Sequence, residues 1–167
     1  MTSPFVAILM GSDSDLPVMQ ATIDILKQFD INHEVRVRSA HRTPDAAKAF
    51  VKDAEERGCK VFICAAGLAA HLAGAVAGMT TRPVIGVPVD CGPLQGHDAL
   101  LSTVMMPGGI PVATVAIGKA GAKNAGYLAA QILGVADQSM ADKVKAERVA
   151  NAAALLAKDE AMQAKLN

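Results

Sequence analysis

The stretch INHEVRVRSAHRTPDAA, residues 31–47, decides how this chain folds. Its first half, INHEVRVR, alternates apolar and polar side chains, the period of a strand with one buried face. Its second half starts a helix at once: Thr43 suits the N-cap, Pro44 the first helical position and Asp45 the first turn. Strands that give way directly to helices build a parallel sheet covered on its faces. His41 and Arg42 then fall in the connection at the carboxyl end of the strand, where open α/β sheets bind ligands.

Outward from this unit the same alternation recurs. Strands are predicted over FVAILM (5–10), HEVRVR (33–38), KVFICAA (60–66), PVIGVPV (83–89) and PVATVAI (111–117). The first helix opens near Asp15 with Pro17 early, placing Met19, Ile23 and Leu26 on one face, and the second runs from Pro44 with Ala47, Phe50, Val51 and Ala54 inward until Gly58. LAAHLAGAVAGM (68–79) is a third, buried on most sides, DALLSTVM (98–105) a fourth, and AGAKNAGYLAAQIL (120–133) a fifth whose small residues permit close helix packing. A sixth, over 138–158, carries Val149, Ala152, Ala153 and Leu156 on one face, extended less regularly by Met140 and Val144. It has no strand of its own to cover, so it is expected to pack on a neighbouring subunit. The alanine-rich tail beyond it is expected to fray.

Composition narrows the function classes. The 167 residues are 51% hydrophobic, enough for one well-buried core, and a single domain over 1–167 is expected. Sixteen basic residues balance sixteen acidic ones, so net charge favours neither a nucleic acid nor a membrane as partner. Aromatic residues are only 3%, with no Trp, which leaves few platforms for stacked bases or a flavin. Cys59, Cys64 and Cys91 have no metal-site spacing and read as buried thiols in a reducing compartment. The opening segment MTSPFVAILMGSDSD has no basic leader and its apolar run is too short to span a bilayer, so a cytoplasmic protein is expected.

Two connections carry chemistry. GSDSD (11–15) follows the first strand: Gly11 lets the backbone turn closely, Ser12 and Ser14 offer hydroxyls, and the next helix presents unpaired N–H groups with a partial positive charge. These suit a phosphate, although an ordinary Ser or Asp helix cap would use the same residues. The stretch lacks the Gly-Lys-Ser/Thr of a Walker loop and the G-x-G-x-x-G dinucleotide fingerprint. Arg42 supplies a planar, bidentate anion donor. If the first two strands are neighbours, as in flavodoxin-like sheets, both connections meet at one sheet edge. His41 is the strongest proton-transfer candidate, since imidazole gives and takes a proton near neutral pH. His71 follows the third strand and faces either the cleft or the helix packing; His33 and His97 are less promising. No two histidines share metal-ligand spacing with a carboxylate, so no metal site is expected.

The motifs MGSDSD, SAHRTP, AAHLAG, VIGVPV and above all MPGGIPVATVAIGKAGAKNAGYLAAQIL resemble those of the N5-carboxyaminoimidazole ribonucleotide mutases of purine biosynthesis, over about the first four-fifths of the chain. The resemblance implies an α/β flavodoxin-like three-layer sandwich, a five-stranded parallel sheet with an extra C-terminal helix, assembled as a homo-octamer. It implies a reaction that moves a carboxylate from the exocyclic nitrogen of an imidazole ribonucleotide to ring carbon C4, with no metal, nucleotide or organic cofactor. Carried over, His41 is the catalytic residue. Ser12, Ser14, Asp15 and Arg42 hold phosphate and ribose, and Gly11, Ser39, Ala40, Gly67, His71 and Leu72 complete the substrate site.

The chain departs from the family pattern at Leu68, at Ala73, at Met105 before Met106-Pro107, and over VDCGPLQGHDALLS (89–102). These positions are expected in connections lining the carboxylate side of the cleft. The sister enzyme, aminoimidazole ribonucleotide carboxylase, takes carbon dioxide directly and usually has lysine where this chain has Arg42. A receiver or flavodoxin-like binding module is the reading from another class. A receiver needs an aspartate after its third strand, where this chain has CAAG, and a flavodoxin needs aromatic cover.

Overall fold

A computed structural model describes residues 4–166; residues 1–3 of the opening segment, and residue 167, lie outside the described residues. Five strands, β1 (Phe5–Met10), β2 (His33–Val37), β3 (Cys59–Ala66), β4 (Val84–Pro88) and β5 (Ala113–Thr114), form one sheet in the order β2-β1-β3-β4-β5, every pair parallel. The order reverses between β1 and β3, because the chain leaves β1 towards β2 and leaves β3 towards β4. Loops that part in opposite directions open a crevice at the carboxyl ends of those strands.

Side-chain alternation along β1 divides the core into two. Val6, Ile8 and Met10 pack under α1 (Leu16–Gln28) and α5 (Gly118–Gly134), while Phe5, Ala7 and Leu9 pack under α2 (Pro44–Glu56) and α3 (Leu72–Ala77). All six are buried, the continuous apolar run of a strand covered on both faces. β2 lies at the sheet edge and is only half-buried, which is why its sequence alternates. The inward residues expected of the first two helices, Met19, Ile23 and Leu26, then Ala47, Phe50, Val51 and Ala54, are all buried. α1 and α5 approach closely, as the small residues of α5 suggest: Gly126 leaves no room for a Cβ beside Ile25, and Thr22 Oγ1 donates to the Ala122 carbonyl at 2.6 Å.

Four expectations are corrected. The fifth strand, expected over 111–117, is paired only at Ala113 and Thr114, with Val115 N–H adding one bond to the Gly86 carbonyl. It is an outer strand that follows Pro111, a residue with no N–H to donate. The third helix is six residues rather than twelve, because Leu68 takes a positive φ of 55° and keeps residues 68–71 out of it, and Gly78 and Met79 turn away at its far end. The fourth helix, α4 (His97–Val104), starts one residue before its expected position.

The last helix, α6 (Gln138–Leu166), continues through the tail that was expected to fray, since Ala, Leu, Lys, Gln and Glu are strong helix formers. On its own chain it packs through its first turns, not through the face expected to meet a neighbouring subunit. Val144 is buried in the core beneath α5, Met140 packs beside it, and Lys143 and Glu147 bond to Asp30 and Tyr127. Val149 and Leu156 are about two-thirds exposed, at 64% and 65%, and Ala152 and Ala153 are exposed as well. The first turns of α6 therefore pack on their own chain, and the stretch from Val149 onwards is uncovered.

Candidate active site

Four connections meet at the switch point, and sheet pairing runs on into them. Gly11 N–H bonds the Ala65 carbonyl, Arg38 N–H the Met10 carbonyl and Val89 N–H the Ala66 carbonyl, at 2.8–3.0 Å. The loops therefore start from fixed points. Between them lies a cleft of about 480 Å³ lined by all eleven residues expected there: His41 together with Gly11, Ser12, Ser14, Asp15, Ser39, Ala40, Arg42, Gly67, His71 and Leu72. Ala66, Leu68, Ala69 and Cys91 also line it.

The first loop is ordered by its own polar groups. Ser12 Oγ accepts from Ser14 N–H at 3.3 Å, and Asp15 Oδ2 accepts from Ser12 N–H at 3.0 Å, a reciprocal capping box around the 3-10 turn Asp13–Asp15 that leads into α1. The capping residues thus themselves line the cleft, and the cap pre-shapes the loop. Ser14 keeps a hydroxyl that bonds no protein group among the described residues. Asp15 is buried. Burial pushes its carboxyl above the ordinary value, and the Ser12 and Gly11 N–H groups and the Arg42 charge only partly offset this. The close turn at Gly11 leaves room for a side chain: a Cβ there would make ordinary contacts with Ala66, Asp15 and Ala65 at 3.6 Å or more.

The second loop carries His41 and Arg42. Thr43 occupies the N-cap position of α2, but its hydroxyl turns back to Ser39, accepting from Ser39 N–H at 2.9 Å and donating to the Ser39 carbonyl at 3.2 Å. Ser39 Oγ in turn accepts from Arg42 N–H at 3.1 Å. This closed circuit holds the backbone under two exposed side chains. The Arg42 guanidinium donates to the Gly11 carbonyl at 2.7 Å and so joins the first two loops. His41 Nε2 lies 2.8 Å from His71 Nδ1, the rings edge-to-face at 79°. His71 therefore faces the cleft, one of its two expected places. His33 and His97 bond carbonyls of their own segments, Ile31 and Leu94, and do not line the cleft.

The third and fourth loops interlock. Gly67 leaves its Cβ space to the Cys91 sulfur, and Gly92 leaves its own to the Leu68 side chain, 2.5 Å from where a Cβ would stand. Cys59 and Cys64 are buried thiols as expected, Cys59 pushed up to about 11 by burial, whereas Cys91 is only half-buried and belongs to the cleft wall. Of the departures from the family pattern, Leu68 and Cys91 line the cleft as expected. Ala73 does not, being on the buried face of α3, nor does Met105, which is exposed at the C-terminal end of α4. No group of three or more His, Cys, Asp or Glu side chains among the described residues is placed to hold a metal ion.

Ser102 of α4 ties this wall to the rest of the fold. Its Oγ accepts from Ala70 N–H at 2.9 Å and donates to the Asp98 carbonyl at 2.6 Å. Ala70 is buried, so Ser102→Ala strands its N–H; the expected cost is about 1–3 kcal/mol, read from chemical denaturation. An unchanged midpoint would show that the 68–71 turn holds without α4.

These features define a class: a flavodoxin-like α/β protein whose switch-point cleft joins a serine- and aspartate-rich helix-capping loop, an arginine and a histidine pair. The family model described as AIR carboxylase matches residues 5–154, and the chain belongs to that family. It is 58% identical over 142 residues, 85% of this chain and 82% of the relative, to the N5-carboxyaminoimidazole ribonucleotide mutase of Thermotoga maritima. It is 52% identical to that of Mycobacterium tuberculosis over 160 residues, 96% of this chain and 91% of the relative. Among solved structures, Treponema denticola PurE superposes with a TM-score of 0.85 at 34% identity, covering 95% of this chain and 98% of that one.

Proposed function

We propose that this chain is an N5-carboxyaminoimidazole ribonucleotide mutase, a single domain over 1–167 that moves a carboxylate from the exocyclic nitrogen to C4 of an aminoimidazole ribonucleotide in purine biosynthesis. The observation that carries the reading is the convergence of His41 and Arg42 with the 11–15 loop in one cleft, in a chain whose relatives bear that name. Arg42, Ser12, Ser14 and the α1 N-terminus suit the phosphate. Asp15, a carboxylate that would repel phosphate, suits the ribose hydroxyls. When the nitrogen–carbon bond breaks, its electron pair stays on nitrogen, which takes a proton from His41, and carbon dioxide is released. Ring carbon C4 then attacks the trapped carbon dioxide and its proton passes to His41, restoring the enzyme. Gly67, Leu72 and the alanine-lined wall bring flat surfaces close to the ring. No step needs a cofactor or metal.

The test is direct assay of purified protein with each imidazole ribonucleotide. Rapid conversion of the N-carboxylated compound without added bicarbonate is expected. The family model's own description favours the carboxylase as second reading. Efficient carboxylation of the plain ribonucleotide at ambient carbon dioxide, with no use of the N-carboxylated one, would establish that instead. Arg42→Ala is expected to raise KM by about 10- to 100-fold with little change in kcat, because the lost charge-assisted contacts are remote from the bonds that change. An unchanged KM would remove Arg42 from the site.

The reading includes a homo-octamer in the cytoplasm, with no nucleic acid or membrane partner. No helix among the described residues is long and apolar enough to cross a membrane. Val149, Leu155, Leu156 and Met162, all more than half exposed on α6, support packing of this stretch on a neighbouring subunit. Truncation after Asn151, which spares the turns packed on α5, is expected to yield smaller or aggregated species by light scattering. An assembly of unaltered size would refute the role given to the tail.

A further inference from the structure

The geometry points to His71 as a positioning residue for His41 rather than a substrate-binding one, an inference that rests on the proposed reading of His41 as the acid/base. Two ring nitrogens 2.8 Å apart, His41 Nε2 and His71 Nδ1, share one proton, because one must donate and the other accept. The tautomer of each ring is therefore tied to that of the other. With Nε2 committed to His71, the nitrogen of His41 that bonds no protein group among the described residues is Nδ1. Proton exchange with substrate then takes place at Nδ1.

A neutral His71 carrying its proton on Nε2 serves both halves of the reaction. In the base form, His41 donates its Nε2–H to His71 Nδ1 and offers the Nδ1 lone pair to the C4 proton. Once it has taken that proton, His41 is an imidazolium that still donates the same Nε2–H, and the His71 lone pair stabilises the charge. His71 gains and loses no proton of its own. A buried carboxylate does the same work behind the histidine of a serine-protease triad.

The backbone that carries His71 is held by three hydrogen bonds. His71 N–H bonds the Ala69 carbonyl, Ala70 N–H bonds Ser102 Oγ, and the His71 carbonyl accepts from Ala75 N–H, each at 2.9 Å. Leu72, the next residue, is buried at 2% exposure and anchors the start of α3. The two rings come from different loops, thirty positions apart in the chain, so the bond also fixes the width of the cleft.

The test uses full-length protein labelled with [15N]histidine. A coupling through the hydrogen bond between His41 Nε2 and His71 Nδ1 is expected, with neutral His41 in the Nε2–H form; His71→Ala should remove the coupling and give a mixture of tautomers. In the same variant kcat is expected to fall about 10- to 100-fold, the loss of one hydrogen bond to a charged group, with KM within about twofold. His71→Asn, whose side-chain carbonyl can accept from His41 Nε2–H, should recover most of that loss. A KM raised tenfold with kcat unchanged would make His71 a substrate-binding residue and overturn the inference, as would absence of the coupling in the wild type. Wild-type protein inactive on both ribonucleotides, yet showing the coupling and the tautomer shift, would overturn the proposed function while leaving His71 as the residue that positions His41.

Discussion

Replacing His41 by Asn is expected to lower kcat by at least about a hundredfold while KM stays within about threefold. The amide is close to imidazole in size but has no basic nitrogen, so it neither delivers a proton to the exocyclic nitrogen nor removes one from C4. Binding should survive, since phosphate and ribose contacts are assigned to Ser12, Ser14, Asp15 and Arg42. The loop should survive too. Its shape comes from the Ser39, Arg42 and Thr43 bonds, and the His41 ring itself bonds only His71 among the described residues. Equilibrium binding and steady-state turnover measured on the same preparation separate the two effects. A variant that kept more than a tenth of the wild-type rate would take the acid/base role away from His41.

The two strand-to-helix connections were legible because their chemistry is local. Thr43-Pro44-Asp45 marks a helix start and GSDSD a cap or anion loop, whatever the rest of the chain does. That they share one cleft followed from sheet order, and β2 does lie beside β1. What escaped the sequence depends on contacts between distant segments. The bond between His41 and His71 spans two loops, and nothing at residue 71 announces it. Leu68 and the stretch holding Cys91 were expected at the cleft, but not how they fit together: Gly67 yields space to Cys91, just as Gly92 yields space to Leu68. Two departures from the family pattern that look independent in sequence are thus two halves of one interlock. Periodicity picks out the Val149 and Leu156 stripe of α6, which a single chain leaves exposed, while Met140 and Val144 are the residues that α5 is placed to cover.

The largest loss of stability is expected from a methyl group added at Gly121. In isolation Gly→Ala in the first turns of a 17-residue helix would be favourable, by about 1 kcal/mol. Here a Cβ would overlap the carbonyl of Ala116, a backbone group rather than a flexible side-chain end. Neither side can withdraw cheaply. Val115, next to Ala116, is bonded to the Gly86 carbonyl at 3.0 Å, which extends the β4–β5 pairing. Ala122, next to Gly121, is fully buried and its carbonyl accepts the Thr22 hydroxyl, while Gly126 further along seats Ile25 of α1. Relief of the overlap must break the sheet bond or lift α5 from α1. A net cost of roughly 3 kcal/mol or more, at the upper end for overpacking, is expected. For a chain of this length that is a fall in Tm of at least about 6 °C at fixed protein concentration. Gly108 provides the control, because nothing lies within 4 Å of its Cβ position and its φ is not positive; Gly108→Ala should move Tm by less than about 2 °C. If Gly121→Ala melted together with that control, the entry to α5 would be soft, and the bond from Val115 to Gly86 would not be holding it.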